Sequence, residues 1–176
     1  MLVEAFGRIV ASGLDAELRL AGDVVDPRYG DRLLGRIQAL GLNERIRLLG
    51  RVAASDVARE LATATVFALV SLEENSPMGI EEAMAAGVPV VTSNRCGMPY
   101  MVRDGESGFL VDPHDPADIA DRLQPLLQDR SLRLRMSESS RAIARDRFHP
   151  ASVAQRTRNV YFRAAQAGAC RLAFPA

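Results

Sequence analysis

Between Leu18 and Val111, short apolar runs alternate with stretches of helical spacing, and this alternation dictates repeated βαβ units around a parallel sheet. The runs are Leu18 to Ala21, Ile46 to Leu49, Val66 to Val70, Val88 to Thr92 and Phe109 to Val111. Each is nearly continuous in apolar residues, as a parallel strand covered on both faces must be. Leu2 to Ser12, Tyr29 to Leu40, Ser55 to Ala64 and Pro77 to Ala86 carry helical periodicity, and Gly13, Gly41 and Gly87 stand where helices stop. After Val111 the pattern becomes purely helical. Asp115 followed by Pro116 predicts a cap and first turn for a helix over Ala117 to Leu127, with further helices over Leu132 to Phe148 and Ala151 to Ala165. The sequence therefore predicts one α/β domain over residues 1–165 and a C-terminal tail over 166–176, fraying from Gly168.

A chain of 176 residues with 48% hydrophobic content suits a single domain with a real core. No apolar run approaches the roughly 18 residues needed to span a bilayer. Twenty-two basic residues balance 22 acidic ones, so no global field draws in a phosphate backbone and no nucleic-acid partner is expected. All the basic residues are Arg. The absence of Lys excludes Schiff-base chemistry and a P-loop lysine from this polypeptide. Two cysteines (Cys96, Cys170) and two histidines (His114, His149) make neither a disulfide framework nor a metal-ligand set. A cytoplasmic chain with no bound metal or cofactor is the expectation.

Chemistry concentrates in the segment from Ser71 to Val91, which runs from a strand end through a loop into a helix. Ser76 is placed to cap that helix and Pro77 to occupy its first position, leaving the amides of Met78, Gly79 and Ile80 free. A helix start at the carboxyl end of a parallel strand is an anion site. Glu74 and Glu82 flank it with seven residues between them, and carboxylates suit pairs of sugar hydroxyls. A nucleotide sugar is the ligand this combination fits. Spacing alone favours glutamates that complement the helix dipole and face solvent.

The segment resembles the donor-binding signature of retaining glycosyltransferases of the GT-B fold, chiefly family 4. The residues that carry the resemblance are Ser71, Glu74, Glu82, Ala83-Met84-Ala85 and Gly87 to Val91, with Leu48 to Val52, Gly97-Met98-Pro99 and Asp104 to Val111 around them. It extends from the N-terminus to about Arg163. The resemblance implies a Rossmann-like parallel sheet with flanking helices, the C-terminal half of such an enzyme. It also implies that Glu74, the catalytic candidate, contacts the donor hexose and that Glu82 contacts the nucleotide ribose. Ser71 and Ser76 belong to the same donor site, Met78 to Ile80 offer amides to the diphosphate, and the UDP or GDP base lies near Arg51 and Val52. The leaving diphosphate itself helps deprotonate the acceptor, so stabilising its charge is the main task of the protein. A glycan or lipid-linked acceptor is implied.

Three departures from the family pattern carry further expectations. The family's domain begins with a strand and a basic pair that clamps the diphosphate, whereas this sequence starts at the following helix. The isolated chain is therefore expected to be impaired or inactive, and two neighbouring strands to lack a central partner. The acceptor-binding half is to come from an N-terminal domain or another chain. Cys96 and Tyr100 replace a Gly and a Glu of the family. The arginines at 130, 133, 135, 141, 145 and 147 form a solvated helix face, with a peripheral contact at an anionic inner membrane surface or with the missing domain as the alternative.

Overall fold

The computed structural model describes residues 1–171, and side chains through residue 167. In chain order the elements are α1 (Leu2–Ala11), β1 (Leu18–Ala21), α2 (Pro27–Ala39), β2 (Ile46–Gly50), α3 (Ala54–Thr63) and β3 (Phe67–Leu69). These are followed by α4 (Met78–Ala86), β4 (Val90–Ser93), a 3₁₀ turn (Met98–Tyr100), β5 (Gly108–Val111), α5 (Pro116–Gln128), α6 (Arg130–Arg147) and α7 (Pro150–Arg171). All five predicted strands form.

The starts of α2, α5 and α6 are set by acidic caps. Asp115 accepts the Ala117 amide at 2.8 Å, as its place before Pro116 foretold. Two caps escaped the periodicity: Asp26 accepts from Arg28 N–H at 2.9 Å, and Asp129 from Ser131 and Leu132 N–H at 2.7 and 3.0 Å. They move the starts of α2 and α6 two residues ahead of the first apolar position, because a cap acts before the buried face begins. At the other end α7 continues through Arg171, past the limit expected at Ala165. Ala164, Ala165, Gln166 and Ala167 are good helix formers and nothing there breaks the helix. The remainder of the expected tail, residues 172–176, lies outside the described residues.

The strands are all parallel but belong to two sheets, one pairing β1 with β2 and the other ordered β3-β4-β5. Helices join the sheets. On one face, Val3 and Phe6 of α1 pack with Ile37, Leu42 and Ile46 over Leu18 and Leu20 of β1. Ala5 and Ile9 of the same helix join Val91, Val111 and Ile119, with Val66, Ala68 and Val70 around β3 against them. On the other face Leu61, Ile80, Ala83 and Met84 pack on Val90 with Phe67 and Leu69. From α3, Glu60 and Thr63 accept hydrogen bonds from Arg19 of β1 at 2.7 and 3.1 Å. Thus α1 and α3 both reach from β1 to β3, whose facing edges are unpaired.

Burial agrees with this interruption. Every residue of β4 is buried, whereas Phe67–Leu69 of β3 are only half-buried although apolar on both faces. Of the arginine run, Arg133 donates to the carbonyls of Leu126 and Leu127 and Arg141 to that of Ala86, so these two close helix ends. No described helix is long and apolar enough to cross a membrane.

Because β4 is bonded on both sides, its amides should be the slowest to exchange with solvent, while amides on the facing edges of β1 and β3 exchange at least about tenfold faster. Hydrogen exchange followed residue by residue checks this; equal protection on β3 and β4 would mean that the two sheets are joined in solution.

Candidate functional site

The segment singled out by sequence lies at the carboxyl end of β3 and leads into α4. Its local geometry differs in one respect from the expected cap. Pro77, not Ser76, is the residue before the helix, and no side chain caps that end. The Ser76 hydroxyl instead donates to Glu81 at 3.1 Å. Pro77 has the extended conformation of a capping position, and its carbonyl accepts the Ile80 amide at 3.0 Å. The expectation of three free amides is therefore corrected to two. Ile80 N–H is committed and its side chain is fully buried, whereas Met78 and Gly79 N–H have no partner among the described residues. A tight first turn consumes one donor and leaves the two before it.

Glu74 is half-buried, Glu82 is exposed, and neither side chain has a hydrogen-bond or ion-pair partner among the described residues. Glu81 differs by its bond to Ser76, and Glu73 is exposed. Ser71 is half-buried just beyond β3. Glu74, Ser76, Met78, Gly79 and Glu82 thus lie within one loop and the first turns of α4, with two unpaired carboxylates bracketing two free amides.

A second loop, 94–97, is fastened to the first. Gly97 N–H donates to the Glu74 carbonyl at 2.9 Å. A Cβ at Gly97 would lie 1.6 Å from the Asn75 carbonyl oxygen, so only glycine permits the approach. The turn into this contact is made by Cys96 at φ 52°, a left-handed conformation for a non-glycine residue. Its exposed thiol lies 3.9 Å from the Leu72 carbonyl. Sequence reading found this loop by its departures from a pattern and missed that Gly97 anchors the Glu74 loop. The readable signal was the Gly that follows Cys96. The Ser93 hydroxyl, fully buried at the end of β4, has no partner among the described residues.

Arg51 and Val52 follow Gly50 at the end of β2 and so stand on the other sheet, Arg51 exposed and Val52 half-buried. No hydrogen bond or ion pair among the described residues joins them to the Glu74 loop. A cavity of about 690 Å³ lies on their side, walled by the start of α1, the end of β1 and residues of α2, and it reaches Gly50 but not Glu74 or α4. Arg51 and Arg95 are exposed and without ion-pair partners among the described residues. No group of three metal-ligating side chains occurs among the described residues.

Comparison with known proteins bears on this arrangement. The family of group 1 glycosyl transferases matches residues 1–143. The chain is 30% identical over 161 residues to N-acetyl-alpha-D-glucosaminyl L-malate synthase of Bacillus anthracis, covering 92% of this chain and 41% of that protein. It is 37% identical over 176 aligned residues to D-inositol 3-phosphate glycosyltransferase of a Nocardioides species, covering 93% and 38%. It thus spans about two fifths of the length of these relatives. Among solved structures, Anabaena Alr3699/HepE in complex with UDP-glucose matches with a TM-score of 0.80 at 26% identity, over 91% of this chain and 43% of that one. The fold is that of the C-terminal domain of GT-B glycosyltransferases, as the sequence led us to expect. On a match that covers most of its length, the chain belongs to the group 1 glycosyl transferase family.

Proposed function

We propose that this chain is the donor-binding half of a retaining family 4 glycosyltransferase, whose complete enzyme moves a hexose from a UDP- or GDP-linked donor to a glycan or lipid-linked acceptor. The observation that carries the reading is the pair of free amides at Met78 and Gly79, bracketed by the unpartnered carboxylates of Glu74 and Glu82. The amides bind the diphosphate, Glu82 accepts hydrogen bonds from the ribose, and Glu74 from the hexose. Arg51 and Val52 contribute to the base subsite from across the sheet boundary. Support comes from a structural relative at 26% identity that was solved with UDP, with UDP and glucose, and with UDP-glucose.

In this reading the protein acts on the leaving group. Amides fixed before the reaction stabilise charge that grows on the diphosphate as the hexose bond breaks, and they need no reorganisation at that moment. Glu74 holds the sugar in place while this happens. The acceptor half comes from an N-terminal domain or another chain, in the cytoplasm or at the inner membrane face. A second reading, a nucleotide-sugar-binding module without transfer, is favoured for the isolated chain by the unpaired facing edges of β1 and β3. Donor hydrolysis measured on the isolated chain separates the two: release of free hexose supports the transferase half, and binding without turnover supports the module.

Calorimetric titration with UDP or GDP should give weak binding of equal heat with and without a chelator, since backbone amides and a carboxylate supply the contacts. Heat that appears only when magnesium or manganese is added would overturn this arrangement. Glu82→Ala should lower nucleoside diphosphate affinity by about ten- to a hundredfold, the worth of one charged hydrogen bond. The same loss from Glu81→Ala instead would shift the site by one residue.

Glu74→Ala should leave nucleoside diphosphate affinity unchanged and lower nucleotide-sugar affinity by roughly ten- to a hundredfold, with Glu74→Gln recovering part of the loss. Titrating each variant with UDP and with UDP-hexose gives the comparison. An unaltered affinity for the sugar form would mean that Glu74 is a solvated loop residue.

A further inference from the structure

No side chain caps the leading end of α4, the end that presents Met78 and Gly79. Its trailing end is held instead. Gly87 takes φ +77° there, its N–H donates to the Met84 carbonyl at 3.0 Å, and Val88 N–H donates to the Ala83 carbonyl at 2.9 Å. That turn leaves the last carbonyl of the helix, that of Ala86, for another donor. Arg141 of α6 supplies it, with Nη2 donating to Ala86 at 3.0 Å and Nη1 donating to Ser137 one turn back on its own helix at 3.0 Å. A guanidinium at a helix C-terminus also meets the negative end of the helix dipole.

The contact is built into the backbone as well as the side chain. A Cβ at Gly87 would lie 2.3 Å from Arg141 Cζ, so a larger residue there would push the guanidinium aside. Just beyond Arg141 on α6, Ile143 and Ala144 share a core cluster with Ile80, Ala83 and Met84 of α4. The apolar contacts fix which face of α4 is buried. The hydrogen bond to Ala86 adds a directional tie at the end of the helix axis, which the non-directional apolar contacts do not supply.

We infer that Arg141 is a positioning residue for the nucleotide-binding end of α4, holding the nine-residue helix so that the Met78 and Gly79 amides and Glu82 stay in register. It touches no ligand and acts through the helix. The inference rests on the donor-binding reading above and adds to it a residue on a different helix.

Calorimetry with UDP on the unaltered chain, Arg141→Ala, Arg141→Lys and Ser140→Ala tests it. Ser140 is buried on the same helix and donates to the Ser107 carbonyl at 2.9 Å, so its loss loosens α6 without touching α4. Arg141→Ala should weaken UDP binding by about three- to tenfold, the worth of one hydrogen bond. Arg141→Lys, which keeps a cationic donor, should recover most of that. Ser140→Ala should lower the melting temperature and leave UDP affinity unchanged. Hydrogen exchange at Gly87 and Val88 in the unliganded protein should accelerate in Arg141→Ala alone. Unchanged UDP affinity in Arg141→Ala, or an equal loss in Ser140→Ala, overturns the positioning role. If the unaltered chain binds no UDP, the donor-binding reading fails with it, and faster exchange at Gly87 and Val88 would then assign Arg141 to helix stability alone.

Discussion

No backbone hydrogen bond of the two sheets connects β1 to β3, so the domain holds together through the helices that lie across that boundary. The chief one is α1, which buries Val3 and Phe6 over the first sheet and Ala5 and Ile9 over the second. Full burial of side chains the size of Val, Phe and Ile contributes about 1.5 to 3 kcal/mol each. Three of them give a figure comparable with the whole stability of an ordinary domain, roughly 5 to 15 kcal/mol. The relative placement of Arg51 and Glu74, which lie on opposite sides of the boundary, therefore depends on a ten-residue helix. The ion pair and hydroxyl contact from Arg19 to α3 are partly exposed and add little on the other face.

Within the second sheet the carboxyl end of the strands is organised by polar groups that the apolar pattern does not reveal. Thr92 is fully buried and its hydroxyl donates to the Leu69 carbonyl at 2.8 Å, tying β3 to β4 where the Glu74 loop departs. Gly97 then ties the following loop back to Glu74. Leaving a buried hydroxyl unpaired costs about 1 to 3 kcal/mol, so Thr92 is committed to this bond and Ser93 beside it carries an unmet demand. The Glu74 loop is anchored through its backbone, which leaves the carboxylate available.

Legibility in the sequence followed the physics of each element. All five strands were found at nearly their observed bounds, but burial on both faces accounts only for β4; β1 and β2 expose Arg19, Arg47 and their neighbours, and were legible because their remaining positions are apolar. The cap at Asp115 was legible because Pro116 fixes the first turn, while Asp129 was hidden in a polar stretch with no such neighbour. The Ser76 cap failed because its hydroxyl has a competing acceptor five residues on in Glu81, and because the adjacent Pro77 itself serves as the residue before the helix. Spacing located Glu74 and Glu82 but could not show that Ile80 N–H is used internally. The Gly97 approach and the Arg141 contact join residues far apart in sequence, and only packing reveals them.

A chain that carries its positive charge only as Arg also divides that charge differently from one with Lys. A guanidinium has five donors in a planar fork and suits carbonyl pairs as well as anions. Arg133 spans two carbonyls at the end of α5, and Arg141 bridges Ser137 and Ala86. These cations are spent on helix C-termini. At the carboxyl ends of the strands, Arg51 and Arg95 are exposed on loops, where solvent and salt screen them. The fixed positive field at the start of α4 therefore comes first from the Met78 and Gly79 amides, which are pre-aimed by the helix and carry no side-chain entropy to lose. An anion held this way is oriented more strongly than it is attracted. In the proposed donor-binding reading, a diphosphate at this helix start is bound weakly, yet keeps its place as charge builds on it.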